Sequence, residues 1–159
     1  MQPNELLVDT LTYLSPPRTI EGLSSTDAER KIPDAPHSIA EILAHMSFWQ
    51  EWLCARCAGH AEPMPATASA GWPAVVPGSW SEIHARFIGG LERAISLGRE
   101  TERLGLAIAP PIEFPPLAHY SIGDALVHMA QHNAHHMGQV ILLRQLMGMW
   151  PPPAGSWTW

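Results

Sequence analysis

The stretch VHMAQHNAHHMGQV, Val127 to Val140, places four histidines within nine residues: His128, His132, His135 and His136. Imidazole can bind a metal, relay a proton or fill a polar helix face, and spacing is the first guide among these. On a helix turning about 100° per residue, Ile122, Ala125, Leu126, Met129, Val140, Leu143 and Met147 share one face. His136 lies roughly 20° from the centre of that face and His132 roughly 60°. His128 and His135 lie roughly 100° and 120° away. The first pair is expected to point inward, one turn apart, and the second to sit at the margin.

An H-x3-H spacing lets two imidazoles on adjacent turns grip one ion. Burying both in an apolar face without partners is costly. A metal is one solution, and hydrogen bonds to buried carbonyls or waters are another. His45 adds a third candidate, being the one histidine inside the second predicted helix, with Ile42, Trp49 and Trp52 on its flank. Sites in helix bundles are built from facing helices. Two imidazoles from one helix and one from another leave a position open for water or substrate. Three histidines suit Zn, Ni, Cu or Fe about equally. His37, His60, His84 and His119 are expected at the surface.

These side chains need helices to hold them. A short first helix is predicted from Asn4 to Leu14, with Leu7, Leu11 and Leu14 on one face and Pro16-Pro17 as its stop. Ser38 and Glu41 form an S-x-x-E capping box that opens a second helix running to about Cys57, with Gly59 as its stop. Ile39, Ile42, Leu43, Met46 and Leu53 make its main apolar face. Phe48, Trp49 and Trp52 widen that face, so contact on more than one side is expected. A second box, Ser79 and Glu82, opens a third helix to about Leu104. Gly89-Gly90 weakens its middle unless another backbone packs close there. The fourth helix spans about Ser121 to Met147. Residues 59–79 and 105–120 read as long Ala/Pro/Gly-rich connections, and no strand is convincing. The expected class is all-α, a four-helix bundle in one domain over residues 1–159, with a Trp/Pro-rich tail at 149–159.

Composition narrows the functions. The 159 residues carry a net charge of −6 with a single lysine, Lys31, and eight scattered arginines. No basic patch suggests nucleic acid. No apolar run suggests a membrane span, and no leader is evident. The two cysteines, in C-A-R-C at 54–57, lack the preceding strand of a redox motif and read as small, half-buried helix residues. Reduced thiols without an export signal favour the cytoplasm. No nucleophile triad, phosphate loop or HExxH is present.

SIAEILAHM, Ser38 to Met46, followed far downstream by HNAHHMGQVILLRQLMG, His132 to Gly148, resembles the DinB-like superfamily over about residues 4–150. The resemblance implies a four-helix bundle with up-down-down-up connectivity, usually a homodimer. It also implies a divalent metal, commonly zinc or nickel, held at His45, His132 and His136. Gln139 and Gly138 match the family's glutamine and glycine, the latter taken to allow close helix approach. Met137 stands where an arginine is common. Trp49, His128, His135 and Gln139 are candidates for the pocket or for support of the three histidines. Characterised relatives include transferases for low-molecular-weight thiols and a thiol-dependent isomerase. The implied function is a metal-dependent transferase joining such a thiol to a small electrophile. The alternatives are a hydrolase using activated water and a non-catalytic metal-binding stress protein.

Overall fold

In the computed structural model, which describes residues 3–8, 13–110 and 112–156, six α-helices follow in chain order. They are α1 (Pro3–Leu6), α2 (Pro16–Thr19), α3 (Ser25–Glu29), α4 (Ile39–Cys57), α5 (Trp80–Arg99) and α6 (Ile122–Leu146). The described residues contain no strand beyond a single antiparallel bridge, Ala107 to Ser121. The all-helical class is as expected. Leu11, Trp157 and Trp159 lie outside the described residues.

Local chemistry explains most boundaries. Ser38 Oγ accepts the Glu41 N–H at 3.3 Å, and the Glu41 carboxylate accepts the Ser38 N–H at 2.8 Å. That reciprocal box fixes the start of α4. Ser121 with Asp124 does the same for α6, and Ser24 with Asp27 for α3. The Ser79–Glu82 box does not form. Ser79 has ψ near 8°, outside the extended range of a capping residue, and its hydroxyl turns back to donate to Val76 O at 2.6 Å. α5 also ends earlier than expected, at Arg99, with a 3₁₀ turn over Thr101–Arg103. Pro16 opens α2 rather than closing a preceding helix, because a proline suits the first helical position, where its missing N–H costs nothing.

Fourteen of the nineteen residues of α4 are buried, so it is contacted on several sides, as its wide apolar face predicts. Two apolar clusters run along the helices. One joins Ile42, Leu43 and Met46 of α4 to Phe87 of α5 and Met137 and Val140 of α6. The other joins Trp52 and Leu53 of α4 to Leu91 of α5, Leu126 and Met129 of α6, and Ile108 and Leu117 of the crossover. Along α4 the first cluster gives way to the second between Met46 and Trp52. Along α6 the change falls between Ala130 and Met137. Gln50 and Asn133 sit in these intervals, both fully buried, with Gln50 Nε2 donating to Asn133 Oδ1 at 3.4 Å. Gly90 of α5 makes room for Gln50, whose side chain fills the space a Cβ would need. The close neighbour at Gly90 is thus a side chain and not a backbone.

Two buried arginines tie loops to this frame. Arg144 of α6 donates to Thr19 O at 2.7 Å, Glu21 O at 2.8 Å and Met149 O at 3.1 Å. Arg56 of α4 donates to Ala109 O and Glu62 O. A buried guanidinium is tolerable when carbonyls take its donors. The Arg56 bonds pin both long connections to the same end of α4. Cys54 and Cys57 are free and buried, and burial pushes their thiols up to about 11 and about 12. They are more buried than expected and inert as nucleophiles at neutral pH.

Candidate metal centre

His45 comes from α4, and His132 and His136 from successive turns of α6. One ring nitrogen of each lies within 4.8 Å of the other two, and no other group of this kind occurs among the described residues. The three rings contact one another with centroids 4.5 to 5.0 Å apart. His45 and His136 are buried and His132 is half-buried. The inward orientation read from helix geometry is therefore observed for both α6 histidines.

Second contacts orient the rings. His45 Nδ1–H donates to Gly71 O at 2.6 Å, which leaves Nε2 without a proton in the neutral ring. His132 Nε2 lies 3.1 Å from that atom. His136 Nδ1–H donates to Gln139 Oε1 at 2.7 Å, again freeing Nε2, and the Gln139 amide reaches His135 Nε2 at 3.4 Å. A histidine that gives its outer N–H to a carbonyl is held in the tautomer a metal requires. The 3.1 Å separation is close to the edge of a tetrahedral site, about 3.3 Å for Zn–N bonds near 2.05 Å. Donor type, the tautomers of His45 and His136 and the His45–His132 separation fit a borderline divalent ion.

All three imidazoles are biased toward the neutral form. Burial is the main cause, and the crowding of the rings adds to it. His132 is lowered to about 3 and His136 to about 4, and His45 is also lowered. In the metal-free protein these rings stay neutral where an unfolded chain, near pKa 6.5, takes up protons. Unfolding then binds protons, so the stability these rings contribute is whole above pH ~6.5 and is lost as pH falls toward 4 and 3. Chelated protein is expected to show a denaturation midpoint that drops steadily over that window. A midpoint flat from pH 7 to 4 would contradict the shifts.

Of the flanking candidates, His135 is exposed; its ring packs edge-on against His136 at 4.9 Å, and its Nε2 meets the Gln139 amide. His128 is half-buried, and its Nδ1 is 3.1 Å from the Tyr120 hydroxyl. Trp49 packs edge-on against Phe48 and Trp52, and its indole occupies the space beside Gly71 where a Cβ would sit. Gly138 has nothing within 4 Å of a built Cβ, so it does not serve helix approach. Met137 is fully buried in the first apolar cluster, a place for packing rather than for an ion pair. His37, expected at the surface, stacks on Trp72 at 3.8 Å, and Trp72 stacks on His45 at 3.9 Å. His84 lies half-buried against Trp80. Trp72 and Gly71 are the contributors that helix periodicity misses. The one cue was a tryptophan followed by proline in a polar connection.

A cavity of about 450 Å³ opens beside His45 and His132, with Trp49, Trp52, Met64, Phe114, His128 and Met129 on its walls. A second, of about 420 Å³, is lined by His37, Gln139, Leu142 and Leu146 among others, and none of the three histidines borders it. The first is the cavity that could bring a small molecule to the triad.

Fold and site together define an all-helical protein with a three-histidine cluster able to hold a metal ion. A family model of the DinB superfamily matches residues 17–140, and the chain belongs to that superfamily. No curated protein and no solved structure matches it. No helix among the described residues is long and apolar enough to cross a membrane.

Proposed function

We propose that this chain is a divalent-metal protein, with zinc or nickel at His45, His132 and His136, and that it transfers a low-molecular-weight thiol to a small electrophile. The observation that carries the metal reading is the convergence of three histidine nitrogens within 4.8 Å. Gly71 O and Gln139 Oε1 support it by fixing the tautomers of two rings. A bound divalent ion supplies Lewis acidity, lowering the pKa of a thiol or a water at an open position. Gly71 and Gln139 hold their imidazoles in orientation. Trp72 covers one face of His45, and the walls of the adjacent cavity exclude water and bind the apolar part of a substrate.

The rest of the proposal concerns context. The chain is one domain, and α1 supplies the first member of an up-down-down-up bundle with α4, α5 and α6. Contacts of α1 with α5 and α6 support this. A homodimer is supported by Leu142 and Leu146, exposed by 55% and 62% on α6. A cytoplasmic setting is consistent with two free cysteines.

The test is a panel of thiols and electrophiles, with and without chelator. Thiol-dependent consumption that vanishes with chelator and in His136→Ala supports the transferase. Thiol-independent hydrolysis with the same sensitivity would replace it with the activated-water reading. No turnover with metal bound would leave a binding protein. Gln139→Ala is expected to lower metal affinity by about 10–100-fold, the usual cost of removing an orienting partner. Because Gln139 is exposed, the metal-free midpoint should hardly move. Competition titration with a chromogenic chelator measures the first and thermal melting the second.

A further inference from the structure

The cavity beside the triad says what kind of molecule it takes. Its walls are aromatic and aliphatic: Trp49, Trp52, Leu53, Phe114, Leu117 and Met129. Among the described residues, no lysine, arginine, aspartate or glutamate lines it. Among the described residues, its hydrogen-bonding groups besides the indoles are the His45–His132 end, the His128 imidazole and, on the outer loop, the Thr67 hydroxyl. His128 is itself oriented by Tyr120, at 3.1 Å. That contact exists because the crossover returns onto α6. Ile108 N–H donates to Tyr120 O at 3.1 Å and Ile122 N–H to Leu106 O at 2.8 Å. His128 and Tyr120 therefore form a built polar point about one helical turn from His132.

A charged ligand would lose its hydration here and find no fixed counter-charge. The chain's net charge of −6 disfavours an anion further. A flat or branched apolar body gains by burial against the indoles and Met129. A volume of about 450 Å³ is within the range of sites for small organic molecules.

The geometry points to an uncharged, mainly apolar molecule of aromatic-ring size as the occupant, with one hydrogen-bonding heteroatom directed to the His128–Tyr120 pair. This rests on the reading of the triad as the reactive end of the site, and it assigns the electrophile's class. The carboxylates of an anionic thiol find no partner on these walls.

Calorimetry on the full chain as purified tests it, using three probes of one shape: 2-naphthol, 2-naphthoate and 2-naphthylmethylammonium, at pH 7. The neutral probe is expected to bind at least tenfold more tightly than either ion. Ala68→Trp, at an exposed residue of the loop wall, should abolish that binding by filling the cavity, and Phe114→Ala, at a part-exposed wall, should weaken it several-fold. His128→Ala should cost the neutral probe affinity but leave 2-methylnaphthalene, which has no heteroatom, unchanged. Equal or tighter binding of either ion overturns the inference, as does neutral-probe binding indifferent to both wall variants. Zn²⁺ titration of the same samples reads the metal proposal separately. A protein that binds 2-naphthol with this selectivity and no metal would keep the cavity assignment and remove the metal reading.

Discussion

Zinc added to the chelated protein is expected to raise its thermal midpoint by about 10 °C. An ion at about a thousand times its dissociation constant stabilises the state that binds it by roughly 4 kcal/mol. A chain of this size gains about 2–4 °C per kcal/mol. The cluster is assembled only in the fold, since His45 and His132 are 87 residues apart in sequence. The unfolded chain therefore competes weakly for the ion, and nearly all of the binding energy appears as stability. Scanning calorimetry with and without Zn²⁺ measures it. A histidine cluster that serves packing alone would give no shift.

Substituting one member of the cluster should have the next largest effect. His132→Ala is expected to lower zinc affinity by at least about a hundredfold. Four-ligand structural sites bind with roughly 10–16 kcal/mol, so one ligand accounts for about 3 kcal/mol or more. The same variant carries a second signature. His132 has the most strongly lowered value of the three, about 3. Its removal should therefore relieve part of the loss of stability on acidification of the metal-free protein. Reduced metal affinity together with reduced acid sensitivity identifies a desolvated ligand. A general folding defect would instead lower the midpoint equally at pH 7 and pH 5.

The parts of such a site that are legible in sequence are those fixed by local helix geometry. Periodicity ranked the four clustered histidines correctly because an isolated helix has a fixed turn, and α6 is an unbroken helix of 25 residues. The S-x-x-E box at Ser38 located α4, since that signal is carried by neighbours in sequence. The same pattern at Ser79 failed. Capping needs an extended backbone, and there the Gly78 N–H is drawn to the Glu29 carboxylate of α3, at 2.9 and 3.1 Å. The boxes at Ser24 and Ser121 use aspartate in place of glutamate and went unread.

What remained invisible was the support from the loops. The Gly71 carbonyl on His45 and the Trp72 ring stacked against it come from a connection with no periodicity. Their positions follow from how residues 59–79 return across α4, a tertiary arrangement with no local pattern. Tyr120 reaches His128 in the same way, through the bridge between Ala107 and Ser121. The histidines were readable because helices position them. The groups that set their tautomers were readable only where, as with Gln139, they lie on the same helix.

The most direct measurement is the metal-to-protein ratio of the purified chain beside that of His45→Ala, by elemental mass spectrometry. His45 is the member contributed by the other helix, so its loss leaves only the pair on α6. The expected result is close to one zinc or nickel per wild-type chain and a small fraction of that in the variant, both folded by circular dichroism. Wild-type protein without metal, or His45→Ala retaining it in full, would contradict the three-histidine centre.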